Sequence, residues 1–110
     1  GGRAARARAD ELLAAVGMAE HAHRRPARLS GGQQQRVAIA CALACEPAIL
    51  LGDELTGELD WATAEQVLAL LGELRARYGL TIVLVTHDQR VAAWADRVVE
   101  IRDGRTSSEA

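Results

Sequence analysis

Between residues 61 and 77 the apolar positions Val67, Leu70, Leu71 and Leu74 recur at three- and four-residue steps. That spacing lines one face of an α-helix, and Gly79 supplies the stop after it. A second helix is predicted over residues 4–16, with Leu12, Leu13 and Val16 on one side and Arg6, Arg8 and Glu11 mostly on the other, closed by Gly17. A third opens at Ser30, a good N-cap, and runs through Arg36, Val37, Ile39 and Leu43 to about Cys45, where Glu46-Pro47 ends it. Two stretches follow a different rule. Ala48 to Leu51 is a short continuous apolar run, and Leu80 to Val85 is rich in β-branched residues. They close on Gly52-Asp53-Glu54 and on Thr86-His87-Asp88. Such runs predict strands buried on both faces, the habit of parallel sheets.

After the second strand come a short helix over residues 89–95, a third strand from Arg97 to Ile101 and a tight turn at Asp103-Gly104. Strand, helix, strand, helix, strand is the alternation of an α/β layer, and right-handed crossovers make the first two strands parallel. Residues 18–29 read as a polar connector with solvated His21 and His23, and the chain from Thr106 on as a polar tail. No internal repeat is present.

Composition narrows the function classes. A formal net charge of -2 gives no electrostatic case for nucleic acid or for an acidic membrane surface. The longest uncharged apolar run, Val37 to Cys45, is too short to span a bilayer. Arg3, Arg6 and Arg8 lead into Asp10-Glu11 rather than into an apolar stretch, so no secretory signal is predicted and the cytosol is the default. Cys41 and Cys45, four apart on a helix, make no disulfide framework and read as two small buried or half-buried thiols. All thirteen basic residues are arginine, which excludes from these residues a phosphate loop that needs lysine. Residue 1 is glycine and the single methionine is Met18, so the expectation is a fragment or a truncated gene product.

The candidate chemistry gathers at element ends. Ser30-Gly31-Gly32-Gln33 opens a helix, whose N-terminal N–H groups and dipole attract phosphate. Two glycines let an anion approach the backbone, and the Ser30 hydroxyl adds a donor. Asp53 and Glu54 end the first strand and Thr86-His87-Asp88 ends the second, the edge where open α/β sheets collect ligands. A carboxylate there can hold Mg²⁺, and a second can act as general base. Asp60 is an N-cap candidate for the helix beginning at Trp61. Trp61 and Trp94 are read as packing residues.

The string Leu29-Ser30-Gly31-Gly32-Gln33-Gln34-Gln35-Arg36-Val37-Ala38-Ile39-Ala40 resembles the signature motif of ATP-binding-cassette (ABC) transporter ATPases. Leu50-Leu51-Gly52-Asp53-Glu54 resembles the family's Walker B strand, Thr56-Gly57-Glu58-Leu59-Asp60 its D-loop, and Thr86-His87-Asp88 its switch-histidine segment. The resemblance implies an α/β fold, the C-terminal half of a P-loop NTPase domain, without the Walker A strand. Residues 1–46 would be a helical-subdomain remnant with the signature helix, and residues 47–110 the core. It further implies that Ser30, Gly31, Gly32 and Gln33 cap the γ-phosphate of an ATP held by an opposite subunit, with Asp60 acting across the same dimer. Asp53 would handle Mg²⁺, Glu54 would activate water, and His87 would bond the γ-phosphate. Implied partners are a second ATPase domain and a transmembrane permease at the inner face of the cell membrane, with no nucleic acid. The strings look most like the lipoprotein-release and macrolide-export subfamily.

Two positions depart from the family. Leu55 stands where proline usually follows the catalytic glutamate, which loosens that turn, and Cys41 stands where an arginine is usual. Two readings follow. One is a fragment of an ATP-hydrolysing transporter subunit, inactive alone; the other is a truncated, non-catalytic module that pairs with an intact ATPase. A DNA-repair or chromosome-structure ATPase head shares Ser-Gly-Gly, but Gln34-Gln35-Arg36 and the short path to Asp53 fit it less well, and no heptad flank is present. The unpaired strand edge leaves apolar area uncovered, so the isolated chain is expected to be marginal or to associate.

Overall fold

The fold is taken from a computed structural model that describes residues 2–21, 29–102 and 104–109. His23, Arg24, Arg25 and Pro26 of the predicted connector, and Asp103 of the predicted turn, lie outside those residues.

Helix α1 (Gly2–Ala15) ends where Gly17 turns back at φ 75°, and a short 3-10 turn, Ala19–His21, follows. Helix α2 (Gly31–Leu43) begins on Ser30, whose side chain accepts from the Gln33 N–H while its own N–H donates to the Gln33 side chain. Such a reciprocal box satisfies two of the four donors that a helix start leaves open. Helix α3 (Trp61–Tyr78) is capped by Asp60 and stopped by Gly79 at φ 65°, a left-handed conformation that glycine adopts at little cost. Strand β1 (Ile49–Asp53) and strand β2 (Thr81–Val85) pair parallel, Ile49 opposite Thr81 through Asp53 opposite Val85. The short helix α4 (Gln89–Ala92) leads to β3 (Val98–Arg102) and β4 (Arg105–Glu109), an antiparallel hairpin.

The core lies between the helices and one face of the β1–β2 pair. Leu12 of α1, Val16 and Met18 just after it, Ile39 and Leu43 of α2, and Val67, Leu71 and Leu74 of α3 pack with Leu50, Leu80 and Val91. No charged or polar side chain is buried among the described residues. Arg36 ties α2 to α1 by donating to the Val16 carbonyl at 2.9 Å, near the C-terminal end of α1.

Several expectations need correction. The first two strands are not buried on both faces. In β1 the exposure alternates residue by residue, because the helices cover only the face carrying Leu50 and Gly52. The other face is open: Leu51 is 74% exposed and Val85 57%. The stretch from Thr106 is not a polar tail but part of a strand, β4, which pairs with β3. Cys41 and Cys45 are both exposed. The buried side of α2 is set by Gly32, Ile39, Ala40 and Leu43, and Cys41, two residues past Ile39, turns away from it. Trp94 is 47% exposed, whereas Trp61 does pack against the core. His21 is not a solvated loop residue either. The 3-10 turn folds its ring toward α2, where its Nε2 lies 3.4 Å from Gln33 Nε2.

Candidate functional site

The carboxyl end of the parallel pair brings Glu54 and His87 together. The Glu54 N–H donates to the Val85 carbonyl at 2.8 Å, which carries the ladder one residue past Asp53. The chain then leaves the sheet through Glu54 itself, at φ 50°. A non-glycine residue in that region costs about 1–3 kcal/mol and persists only where its surroundings hold it. Here they do: the Glu54 carbonyl accepts from the Gly57 N–H at 3.2 Å, and Glu54 Oε1 accepts from the His87 backbone N–H at 2.8 Å. His87 Nε2 is 3.9 Å from the same oxygen, yet its imidazole is 98% exposed, so its place is set by the backbone rather than by packing. Asp53, the last residue of β1, is exposed beside this pair.

Leu55 does not simply loosen the turn. A Cβ added at Gly52 would fall 2.5 Å from Leu55 Cδ1 and 2.9 Å from Leu84 Cδ2, so the Leu55 side chain occupies the space above Gly52. Leu55 packs against the core, and hydrophobic contact anchors the turn in place of a fixed φ.

At the start of α2, Ser30 Oγ accepts from the Gln33 N–H at 3.2 Å, and the Ser30 N–H donates to Gln33 Oε1 at 3.0 Å. Two of the first turn's four donors are thus occupied, and the N–H groups of Gly31 and Gly32 have no carbonyl within the helix. The hydroxyl proton of Ser30 also stays available, since its oxygen is the acceptor in the cap. The Gln33 side chain is committed to the cap and to His21.

The glycines also have a packing role that the motif alone did not reveal. A Cβ at Gly31 would lie 3.1 Å from Leu59 Cδ2, and one at Gly32 would lie 2.5 Å from Thr63 Cγ2. The first turn of α2 is therefore seated on the Thr56–Asp60 loop and on the first turn of α3. Thr63 cannot swing aside freely, because its Oγ1 donates to Asp60 Oδ1 at 2.6 Å and its N–H to Asp60 Oδ2 at 3.2 Å. Gly32→Ala is accordingly expected to lower stability by about 1–3 kcal/mol, the usual cost of overpacking. A urea midpoint shifted down with an unchanged slope is the measurement that checks it.

Among the described residues two carboxyls are perturbed. The Thr63 hydroxyl, followed by its N–H, holds the Asp60 carboxyl below its ordinary value of 3.8. The Arg90 guanidinium, followed by its N–H, does the same for Asp88. Both caps therefore contribute above the ordinary value and are lost as pH falls through the lowered ones. Thr63, Trp61 and Arg90 had no assigned chemistry in the sequence. Only Thr63 carries a local signal, as the third residue after the N-cap candidate Asp60, whose side chain its N–H can reach.

A family model described as ABC transporter matches residues 3–57, half of the chain. The chain belongs to the ABC transporter ATP-binding family. The macrolide export ATP-binding/permease protein MacB of Hyphomonas neptunium is 53% identical over 104 residues, 94% of this chain and 16% of that protein. The lipoprotein-releasing system ATP-binding protein LolD of Anaeromyxobacter dehalogenans is 54% identical over 96 residues, 87% of this chain and 40% of its own length. The chain thus spans well under half of these relatives. Among solved structures, cbiO1 from Clostridium perfringens, part of an ABC transporter complex, superposes with a TM-score of 0.88 at 35% identity, covering 93% of this chain and 41% of that one. The dimeric ABC transporter cassette MJ0796 gives 0.73 at 45% identity, covering 92% and 45%. These ABC cassettes share the α/β fold described above. No helix among the described residues is long and apolar enough to cross a membrane.

Proposed function

We propose that this chain is the signature-bearing half of a transporter ATPase, residues 1–46 belonging to the helical subdomain and residues 47–110 to the core. Its Ser30 hydroxyl and its Gly31 and Gly32 N–H groups receive the γ-phosphate of an ATP held by another subunit. The observation that carries this reading is the Ser30–Gln33 box, which satisfies two donors inside the chain and leaves two beside a free hydroxyl. A helix start with open N–H groups is a ready site for phosphate.

The other edge supplies the hydrolytic groups once a phosphate-binding half completes the domain. Glu54 takes a proton from the attacking water as general base, and its carboxylate is already aimed by the His87 N–H. The exposed imidazole of His87 donates a hydrogen bond to a phosphate oxygen. Asp53 suits Mg²⁺, directly or through water: magnesium keeps most of its waters and asks for one or two carboxylates, and an exposed strand-end aspartate provides one. When bound, that ion neutralises charge on the phosphates. Asp60 faces the partner subunit while capping α3. With no lysine in the chain, ATP turnover by these residues alone is not expected. The macrolide-export and lipoprotein-release names of the relatives suggest a permease partner of that type.

The non-catalytic reading, a chain that completes a site in trans, is favoured by the same lack of lysine. Both readings require ATP-dependent pairing with an intact cassette, which is the experiment that tests them. Catalysis by a complementing phosphate-loop half then separates the first reading from the second.

A further inference from the structure

The segments assigned above to the partner subunit and to the γ-phosphate come from different parts of the chain. One is the Asp60 cap at the start of α3, and the other is the Thr86–Asp88 turn ahead of α4. Trp61 and Arg90 join them, and neither belongs to the strings that carry the family resemblance.

Arg90 grips Asp88 as a fork. Its Nε donates to Asp88 Oδ1 at 3.2 Å, its Nη2 to Oδ2 at 2.9 Å, and its backbone N–H to Oδ1 at 2.8 Å. The same guanidinium lies over the Trp61 ring, its Cζ 4.2 Å from the centroid, well inside the range for a cation–π contact. Trp61 in turn packs against the core, so the ring is a fixed platform. On the other side of His87, the Asp88 N–H donates to Thr86 Oγ1 at 3.0 Å, which closes the turn around the histidine. The charged groups facing Arg90 are Asp88 and, from α3, Glu65; both favour its cationic form.

His87 itself has almost no side-chain packing, as its near-complete exposure records. Its backbone is held at one point by Glu54 and at the next residue by Asp88. Asp88 is therefore the handle by which the turn is fixed relative to α3.

We infer that Arg90 is a positioning residue: clamped to Asp88 and laid over Trp61, it sets the turn carrying His87 at a constant spacing from the Asp60 cap, so that the two segments move as one unit. The inference rests on the proposed function for its meaning, since it couples a γ-phosphate contact to a subunit-facing loop. The contact geometry itself is independent of that reading.

Hydrogen exchange of the full 110-residue chain, followed by mass spectrometry, tests it with Arg90→Gln, Trp61→Leu, their double variant and Arg90→Lys. Exchange is read at His87–Asp88 and at Thr63, whose amide the Asp60 cap holds. Either single change is expected to speed exchange at both places, by about fivefold for loss of an exposed cation–π contact. The double variant should be no faster than the faster single one, because both remove the same link. Arg90→Lys keeps a cation over the ring without the fork and should fall between wild type and Arg90→Gln. Protection around Leu71 and Leu74 should not change.

A Trp61→Leu variant with wild-type exchange at His87–Asp88, or additive single effects, would overturn the inference. In either case Arg90 would be only a local partner of Asp88. Should Arg90→Gln lose the core protection, Trp61→Leu and Arg90→Lys carry the same comparison. Failure of ATP-dependent pairing alongside coupled exchange would remove the nucleotide reading and leave the strut standing.

Discussion

Replacing Glu54 by glutamine is expected to lower ATP turnover by about two to four orders of magnitude, the usual worth of a general base. The measurement uses this chain complemented by the phosphate-loop half of a LolD-type relative. Glutamine keeps the Oε1 that accepts from the His87 N–H at 2.8 Å, so the turn and its left-handed residue should survive. Only the ability to take a proton is lost. Stability should change by no more than about 0.5 kcal/mol, as for a substitution that breaks no packing. A fall in turnover matched by a fall in stability would mean that Glu54 serves the fold rather than the reaction.

The second large effect concerns the open face of the sheet. Ile49, Leu51, Val83 and Val85 are 55%, 74%, 45% and 57% exposed and adjoin one another across β1 and β2. Burying one such side chain stabilises by about 1.5–3 kcal/mol, so a row of four is a strong drive to associate. The isolated chain is expected to sediment as more than a monomer. Leu51→Glu should weaken that association about ten- to a hundredfold without unfolding the protein, because Leu51 makes little contact within its own chain. A monomeric wild-type chain with a cooperative thermal transition well above room temperature would contradict this.

What could be read from the sequence was what local chemistry decides. Ser30, Asp60 and Gly79 announce helix boundaries through groups within three or four residues, and each stands where its type predicts. The parallel pairing of β1 and β2 follows from the helix between them. The meeting of Glu54 with His87 was legible for the same reason, since strands of one parallel pair end on one edge.

What depends on coverage was not legible. Ile49 to Leu51 has the composition of a strand buried on both sides, and only the structure records that one side is open. β4 escaped because Thr106, Ser107 and Ser108 carry no apolar signal; the preceding hairpin turn brings them to pair. Contacts between distant segments were equally hidden: Gly32 against Thr63, Leu55 over Gly52, Arg90 on Trp61 and His21 beside Gln33. In each, two side chains of ordinary type meet for reasons that lie in the packing of whole elements.

That Ser30, Gly31 and Gly32 are offered to an ATP bound elsewhere is checked by light scattering of this chain, carrying Leu51→Glu against self-association, mixed with an intact LolD-type cassette. That cassette carries glutamine at its own catalytic glutamate, so that bound ATP persists. With MgATP a one-to-one complex is expected, absent without nucleotide and lost when Gly31 is replaced by arginine in a variant that keeps its urea midpoint. Complex formation that ignores ATP, or that survives the Gly31 replacement, would contradict the account.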